Sequence, residues 1–162
     1  MSMSLEQRIR RLEIIEAAKA AMYRYWRCLD YKLFDQLGDC FTETAEADWG
    51  DPTWRASGRA GIVTFLTANE SRADIRLSHF GHNPEVTPLG DDEAFGYFKL
   101  EDWVTLSGAT VMKGFGRYDM KFKMGADGTW RISDLKLSYA YREETTRFID
   151  DKRLEMTPGL TR

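Results

Sequence analysis

Hydrophobic and polar positions alternate along residues 94–106, and this alternation predicts a β-strand. Even-numbered positions are mainly small or apolar, whereas odd-numbered positions carry mostly charged and aromatic side chains. Successive side chains of a strand point to opposite faces, so the even-numbered face is predicted to be buried. Asp102 lies in that row, two residues from Leu100 and from Val104. An ionised carboxylate is costly to bury unpaired, so we expect an interior partner for Asp102, and His79 is our candidate.

The N-terminal segment, residues 4–30, has the three- and four-residue spacing of a long amphipathic helix. Its apolar stripe consists of Leu5, Ile9, Leu12, Ile15, Ala18, Met22, Trp26 and Leu29. Tyr25 borders this stripe. Asp30 ends the pattern and has two interpretations, a functional carboxylate or the N-cap of a second short helix over residues 31–37. A further short helix is predicted over residues 59–68.

Two further stretches alternate like strands. Within residues 75–89, His79 shares its parity with Ile75 and Leu77, which predicts that the imidazole points to the apolar side. Residues 110–124 alternate again, and the preceding Ser107-Gly108 pair predicts a tight hairpin turn.

The last predicted strand, residues 130–141, changes its parity near Ser133, which indicates a β-bulge that bends the sheet. Helices therefore precede a run of long strands joined by tight turns. This order predicts an α+β domain, with a long N-terminal helix and short helices packed on a strongly curved antiparallel sheet. We expect a single domain over residues 1–162 that ends in a polar C-terminal tail, residues 143–162.

Composition narrows the possible functions. The 162 residues are 43% hydrophobic with a net charge of −3, which favours a globular domain and gives no electrostatic footprint for nucleic acid. No apolar run approaches the roughly 18 residues that span a membrane. The charge-rich start lacks the apolar core of a signal peptide, and Cys28 and Cys40 indicate reduced thiols. We expect a cytoplasmic protein that binds neither nucleic acid nor membrane.

Tyr25, Asp30, His79 and Asp102 are the candidate catalytic residues. A carboxylate beside a neutral imidazole fixes its tautomer and stabilises the imidazolium that proton abstraction creates. A tyrosine hydroxyl can polarise a carbonyl or hold an enolate. On the pattern alone, a core histidine with a structural carboxylate partner is the more ordinary explanation. A metal site is not predicted, because His79 and His82 fall on different parities if the segment is extended.

Three segments together resemble the bile-acid 7α-dehydratase branch of the SnoaL-like group, which belongs to the nuclear-transport-factor-2-like superfamily. The segments are YWRCLD at 25–30, HFGHNPEV at 79–86 and LED at 100–102. The resemblance, from about residue 12 to residue 142, implies a cone-like α+β barrel with a deep apolar pocket. It also implies that the four candidates are catalytic, that Arg142 binds substrate, and that no metal or organic cofactor is needed.

By this resemblance, the chain is expected to be a cofactor-independent dehydratase of a hydrophobic, steroid-like or polycyclic aromatic, hydroxy-ketone. His79 would remove a proton next to the carbonyl, oriented by Asp102, while Tyr25 binds the carbonyl oxygen and Asp30 assists the departing hydroxyl. An indole at Trp49, where that branch has a tyrosine, cannot accept a hydrogen bond and leaves room for a different substrate.

Two alternatives stay open at this point. One is an isomerase or dehydrohalogenase that uses the same base. The other is a non-catalytic binding or subunit protein of the same fold, such as a dioxygenase small subunit. The resemblance also implies a homotrimer or homodimer that meets through the outer face of the sheet.

Overall fold

Two helices and six strands make up residues 3–106 and 110–146, the part of the chain that this computed structural model describes. The helices are α1 (Leu5–Asp30) and α2 (Arg59–Glu70), and a 3₁₀ turn (Leu37–Cys40) precedes the first strand. The strands are β1 (Phe41–Asp48), β2 (Arg55–Ser57), β3 (Ile75–Pro88), β4 (Glu93–Leu106), β5 (Thr110–Met124) and β6 (Trp130–Thr146).

The strands form one open, curved sheet in the order β2-β1-β6-β5-β4-β3. Neighbouring strands are antiparallel except β1 and β6, which are parallel. The α+β fold with helices on a curved sheet is therefore confirmed, but the sheet is mixed rather than purely antiparallel. A parallel pair needs a long connection, and β1 and β6 are separated by most of the chain, so no hairpin sets their direction.

The alternation along β4 is confirmed. Ala94, Phe98, Leu100 and Asp102 are all buried, whereas Lys99 is exposed on the opposite face. Asp102 is 6% exposed and is the one buried charged residue in the described part of the chain. The inner face of β4 therefore presents a carboxylate to the space between sheet and helices.

Helix α1 begins with a capping box. The Ser4 hydroxyl accepts from the Gln7 N–H at 3.2 Å, and the Gln7 side chain accepts from the Ser4 N–H at 2.9 Å. The predicted apolar stripe is confirmed only in its second half: Leu5, Ile9 and Leu12 are exposed, and Ile14 is buried in place of the half-buried Ile15. From Ala18 onwards the predicted residues are buried. The second half of α1 packs on the sheet, where Trp26 contacts the Phe98 ring edge-on.

The predicted bulge in β6 is confirmed. Lys121 pairs with Asp134 and Phe122 pairs with Ile132, so Ser133 is an extra residue on its strand. Extra residues of this kind bend a strand and increase its twist. The bulge thus contributes to the curvature that opens a space beneath α1 and α2.

A second bulge, which the alternation did not reveal, lies at Ala140. It reverses the side-chain alternation between Tyr139 and Arg142. Tyr141 is consequently 54% exposed on the outer face, while Arg142 lies on the same side as Tyr139, with its guanidinium carbon 4.7 Å from that ring centroid.

Several predictions made around the helices need correction. No helix forms over residues 31–37, which make turns that lead into the 3₁₀ turn. Asp30 is the last residue of α1, so its interpretation as an N-cap is wrong. The second helix extends two residues beyond the predicted end at residue 68, to Glu70. Cys28 and Cys40 are free buried thiols, as expected.

Two predicted features lie wholly or partly outside the described residues. The Ser107-Gly108 turn is one of them. Of the predicted tail, residues 143–146 continue β6, and the remainder falls outside the described range.

In the described part of the chain, neither α1 nor α2 combines the length and the apolar character needed to cross a bilayer.

Gly81 allows Trp26 to lie against β3. A Cβ atom added at Gly81 would stand 2.1 Å from an indole carbon of Trp26. Gly81→Ala is expected to lower the free energy of unfolding by about 1–3 kcal/mol through overpacking. The matched control is Gly61→Ala in α2, where nothing lies within 4 Å, and it is expected to stabilise the helix by roughly 0.5–1 kcal/mol. Urea denaturation measures both, and equal effects would contradict this packing argument.

Candidate active site

His79 is bound at two points by Asp30. One carboxylate oxygen lies 2.6 Å from Nδ1 of the ring, and the other accepts from the His79 backbone N–H at 3.1 Å. Both side chains are largely buried, with 8% and 20% exposure respectively. An ionised carboxylate only accepts, so it favours the tautomer that carries the proton on Nδ1. Nε2 then keeps its lone pair.

Trp26 supports the His79 ring from the helix side. The indole stacks on the imidazole with a centroid distance of 6.4 Å and an interplanar angle of 10°. Asp30 and Trp26 both belong to the last turns of α1, whereas His79 belongs to β3. The orientation of the imidazole is therefore determined by the docking of α1 on the sheet.

Asp102 does not have the predicted partner. His79 and Asp102 are neighbours across β3 and β4, as the parity argument required, but Asp102 accepts a 2.5 Å hydrogen bond from the Tyr139 hydroxyl. His79 binds Asp30 instead. The prediction of an Asp102–His79 pair is therefore wrong. Each polar side chain turns to a partner on another element, which strand parity cannot show.

Gly114 makes room for the Asp102–Tyr139 pair. It faces Asp102 in the register of β4 and β5. A Cβ atom there would stand 2.1 Å from an Asp102 carboxylate oxygen and 2.4 Å from the Tyr139 ring. Burial and the neighbouring Asp102 charge raise the pKa of Tyr139 above its usual value, so Tyr139 stays a hydrogen-bond donor.

Tyr25 stands in a buried aromatic cluster. Trp49 Nε1 donates to the Tyr25 hydroxyl at 3.0 Å, and the Trp49 ring stacks on Phe65. Burial raises the pKa of Tyr25 and that of the adjacent Tyr118 above the usual 10.0. The Tyr25 hydroxyl also has a hydrogen bond with the Tyr118 hydroxyl, and both residues line the cavity described below.

A cavity of about 430 Å³ lies between the helices and the inner face of the sheet. Four of the five predicted site residues line it, namely Tyr25, His79, Asp102 and Arg142. The fifth, Asp30, lies behind His79 in a shallow outer cleft that also contains His82. The remaining polar or ionisable residues of the cavity wall are Trp49, Asp51, Trp54, Asn69, Glu70, Arg72, Tyr118 and Tyr139.

His82 is oriented away from the cavity. Its side chain is 51% exposed, and Nε2 lies 3.8 Å from a Glu101 carboxylate oxygen. Across residues 3–106 and 110–146, no three His, Cys, Asp or Glu side chains converge into a group that could hold a metal ion.

Sequence reasoning missed Tyr139 and Glu70. A buried carboxylate opposite a glycine, with a tyrosine on the next strand, was a signal for the Asp102–Tyr139 pair. Glu70 follows Ile62 and Leu66 at four-residue steps, so it continues the buried stripe of α2. The predicted helix ended at residue 68 and therefore left Glu70 out.

Comparison with known proteins gives a consistent family and fold. A model of the SnoaL-like domain matches residues 10–136, which is most of the chain. A candidate scytalone dehydratase from Novosphingobium aromaticivorans DSM 12444 matches with a TM-score of 0.74 at 19% identity, over 86% of this chain and 95% of the other.

Two further solved structures have the same architecture. The hexachlorocyclohexane dehydrochlorinase LinA-type3 from Novosphingobium barchaimii LL02 has a TM-score of 0.74 at 17% identity, over 85% of this chain and 93% of the other. ActVI-ORFA from Streptomyces coelicolor has a TM-score of 0.66 at 17% identity, over 79% and 98%. At these identities the likeness shows a shared fold.

The buried tyrosines predict a loss of stability in alkali. The pKa values of Tyr25, Tyr118 and Tyr139 are raised in the folded protein, so these residues favour folding up to the usual tyrosine pKa of 10.0. Above that pH the unfolded chain loses protons that the folded protein retains, and the free energy of unfolding falls. Tyrosinate absorbance should therefore report three of the seven tyrosines only as circular dichroism is lost. Complete ionisation in a folded protein would contradict this.

Proposed function

The chain belongs to the SnoaL-like domain family, and from that premise we propose that it is a cofactor-independent lyase. Its proposed reaction is the removal of water from a hydrophobic hydroxy-ketone that enters the cavity. This proposal rests above all on the His79 imidazole, which Asp30 binds through Nδ1 and which lines the cavity. A buried imidazole oriented in this way is suited to abstract a proton activated by a neighbouring carbonyl.

Tyr25 is proposed to bind the carbonyl oxygen. Its hydroxyl accepts from Trp49, hydrogen-bonds with Tyr118 and lines the cavity. A donor fixed in a buried cavity stabilises an enolate oxygen better than mobile water does, because it is already oriented. Trp49 stands where the bile-acid 7α-dehydratase branch has a tyrosine. Its proposed role is to donate a hydrogen bond to Tyr25 rather than to bind the substrate.

The roles of the two aspartates change from the sequence-based expectation. Asp30 is proposed to position His79 and to stabilise the imidazolium, because its carboxylate contacts Nδ1. Asp102, buried and bound by Tyr139, is proposed to accept a hydrogen bond from the substrate hydroxyl. Arg142, beside the Tyr139 ring and exposed at the edge of the cavity, is proposed to bind the outer end of the substrate.

Elimination of a halide is the second candidate function. The His79–Asp30 pair alone satisfies its chemistry, because a halide leaves without a proton. Isomerisation would use the same base, and a non-catalytic binding protein would need none of these oriented polar groups. A panel of hydroxy-ketones with bicyclic and steroid-like skeletons, together with halogenated analogues, distinguishes these activities.

His79→Ala is expected to lower kcat by about a hundredfold or more, because the general base is removed. His82→Ala is the matched control, since its exposed imidazole lies outside the cavity. It should leave kcat within about twofold of the wild-type value, well below the loss of a general base. Near-normal turnover by a folded His79→Ala variant, or loss only in His82→Ala, would refute the assignment of the base.

Asp30→Asn is expected to change the tautomer of His79. The amide can donate to Nδ1, which moves the ring proton to Nε2 and removes the lone pair that faces the cavity. The ¹⁵N shifts of the imidazole should report this exchange, and kcat should fall by about a hundredfold. Asp35→Asn, at an exposed turn position, serves as the control. An unchanged tautomer with unchanged kcat would remove Asp30 from the mechanism.

A further inference from the structure

Glu70 places a second carboxyl group in the cavity wall, on the helix side. It is the last residue of α2 and lies one further step along the buried stripe formed by Ile62 and Leu66. Its side chain lines the same cavity as His79 and Asp102. None of the roles proposed above uses this carboxyl group.

The Glu70 carboxyl group has no hydrogen bond or ion pair with any of the described residues, although two cations lie near it. Lys32 Nζ donates to the Arg72 backbone carbonyl instead. The Arg72 guanidinium donates twice to Asp74, at 3.0 and 2.6 Å. The carboxyl group therefore stands against the cavity without a dedicated counterion.

Its surroundings favour the protonated form. Burial raises the pKa of Glu70, and the charges of His79 and Lys32 oppose that rise less strongly. The carbonyl end of a helix also disfavours a negative charge. The other titratable and charged groups of the cavity wall are Tyr25 on α1, Asp51 after β1, Arg72 after α2, His79 on β3, Asp102 on β4, Tyr118 on β5, and Tyr139 and Arg142 on β6.

We infer that Glu70 is the general acid of this site, the group that protonates the departing oxygen. The inference rests on the proposed lyase function. His79 takes the C–H proton, and the bonding pair forms the enolate held by Tyr25. The enolate pair then forms the C=C bond, the C–O bond breaks, and the oxygen leaves with the Glu70 proton as water. His79 is then an imidazolium and Glu70 a carboxylate. Transfer of one proton from His79 to Glu70 restores both groups.

The inference predicts a dependence on the leaving group. Hydroxide is a poor leaving group that needs a proton, whereas acetate leaves as a stable anion. Two probes of one skeleton, 3-hydroxy-1-tetralone and 3-acetoxy-1-tetralone, separate these cases. Glu70→Gln keeps the size and polarity of the side chain but cannot supply a proton. It should lower kcat by about a hundredfold on the hydroxy probe and by less than about threefold on the acetoxy probe.

The control is Glu85→Gln, at an exposed position of β3, which should leave both rates unchanged. Equal losses on the two probes, or no loss on either, would overturn the acid role of Glu70 while the lyase proposal stands. If the wild-type protein turned over neither probe nor any member of the substrate panel, the proposed function would fail and the acid role with it.

A stability measurement separates a catalytic carboxyl from a structural one. Because the pKa of Glu70 is raised in the folded protein, its charged form lowers the free energy of unfolding above that pKa, and the penalty vanishes below the unfolded value. Glu70→Gln should therefore raise Tm near pH 8 and approach the wild-type Tm near pH 4, close to the usual glutamate pKa of about 4.3. A fall in Tm near pH 8 would show that Glu70 supports the fold, against the inference.

Discussion

The hydrogen bonds between Asp30 and His79 join the end of the long helix to the edge strand of the sheet, and the rest of the site depends on them. The same carboxylate holds a backbone N–H of β3 and a ring nitrogen, so secondary structure and side-chain orientation are fixed together. Trp26, one turn earlier on α1, packs over Gly81 and stacks on the imidazole. A shift of α1 on the sheet would therefore change the direction of Nε2 as well as the core packing.

Largely buried polar groups line the cavity, and the surroundings of each group determine its protonation state. Tyr25 and Tyr139 remain protonated because burial raises the pKa of each. Asp102 has a donor in Tyr139, whereas Glu70 has none among the described residues. The two carboxyl groups are therefore suited to different tasks. Asp102 accepts hydrogen bonds, whereas Glu70 is suited to carry a proton. The low dielectric of a buried site strengthens the hydrogen bond from Tyr139 to Asp102 and also disfavours the charged form of Glu70.

Much of this arrangement could be predicted from the sequence, because it follows from local periodicity. The alternation around Asp102 correctly predicted a buried carboxylate, and the parity of His79 correctly placed it on the inner face of the neighbouring strand. The partner of each group could not be predicted in the same way. Asp30 reaches His79 across 49 positions of sequence and Tyr139 reaches Asp102 across 37, and both contacts depend on how distant elements pack. Glu70 was overlooked because the predicted helix ended at residue 68, two residues before it.

The bulge at Ala140 means that the pairing of β6 with β5, and not only side-chain chemistry, determines which residue lies at the entrance of the cavity. If the same residues paired in strict alternation, without the bulge, the Tyr141 phenol would turn inward and Arg142 toward solvent. A relative that lacks only this extra residue would keep the equivalents of Tyr141 and Arg142 on the same faces, because the bulge takes up the additional position. A sequence alignment that forbids a gap at Ala140 would equate residues on opposite faces of the sheet.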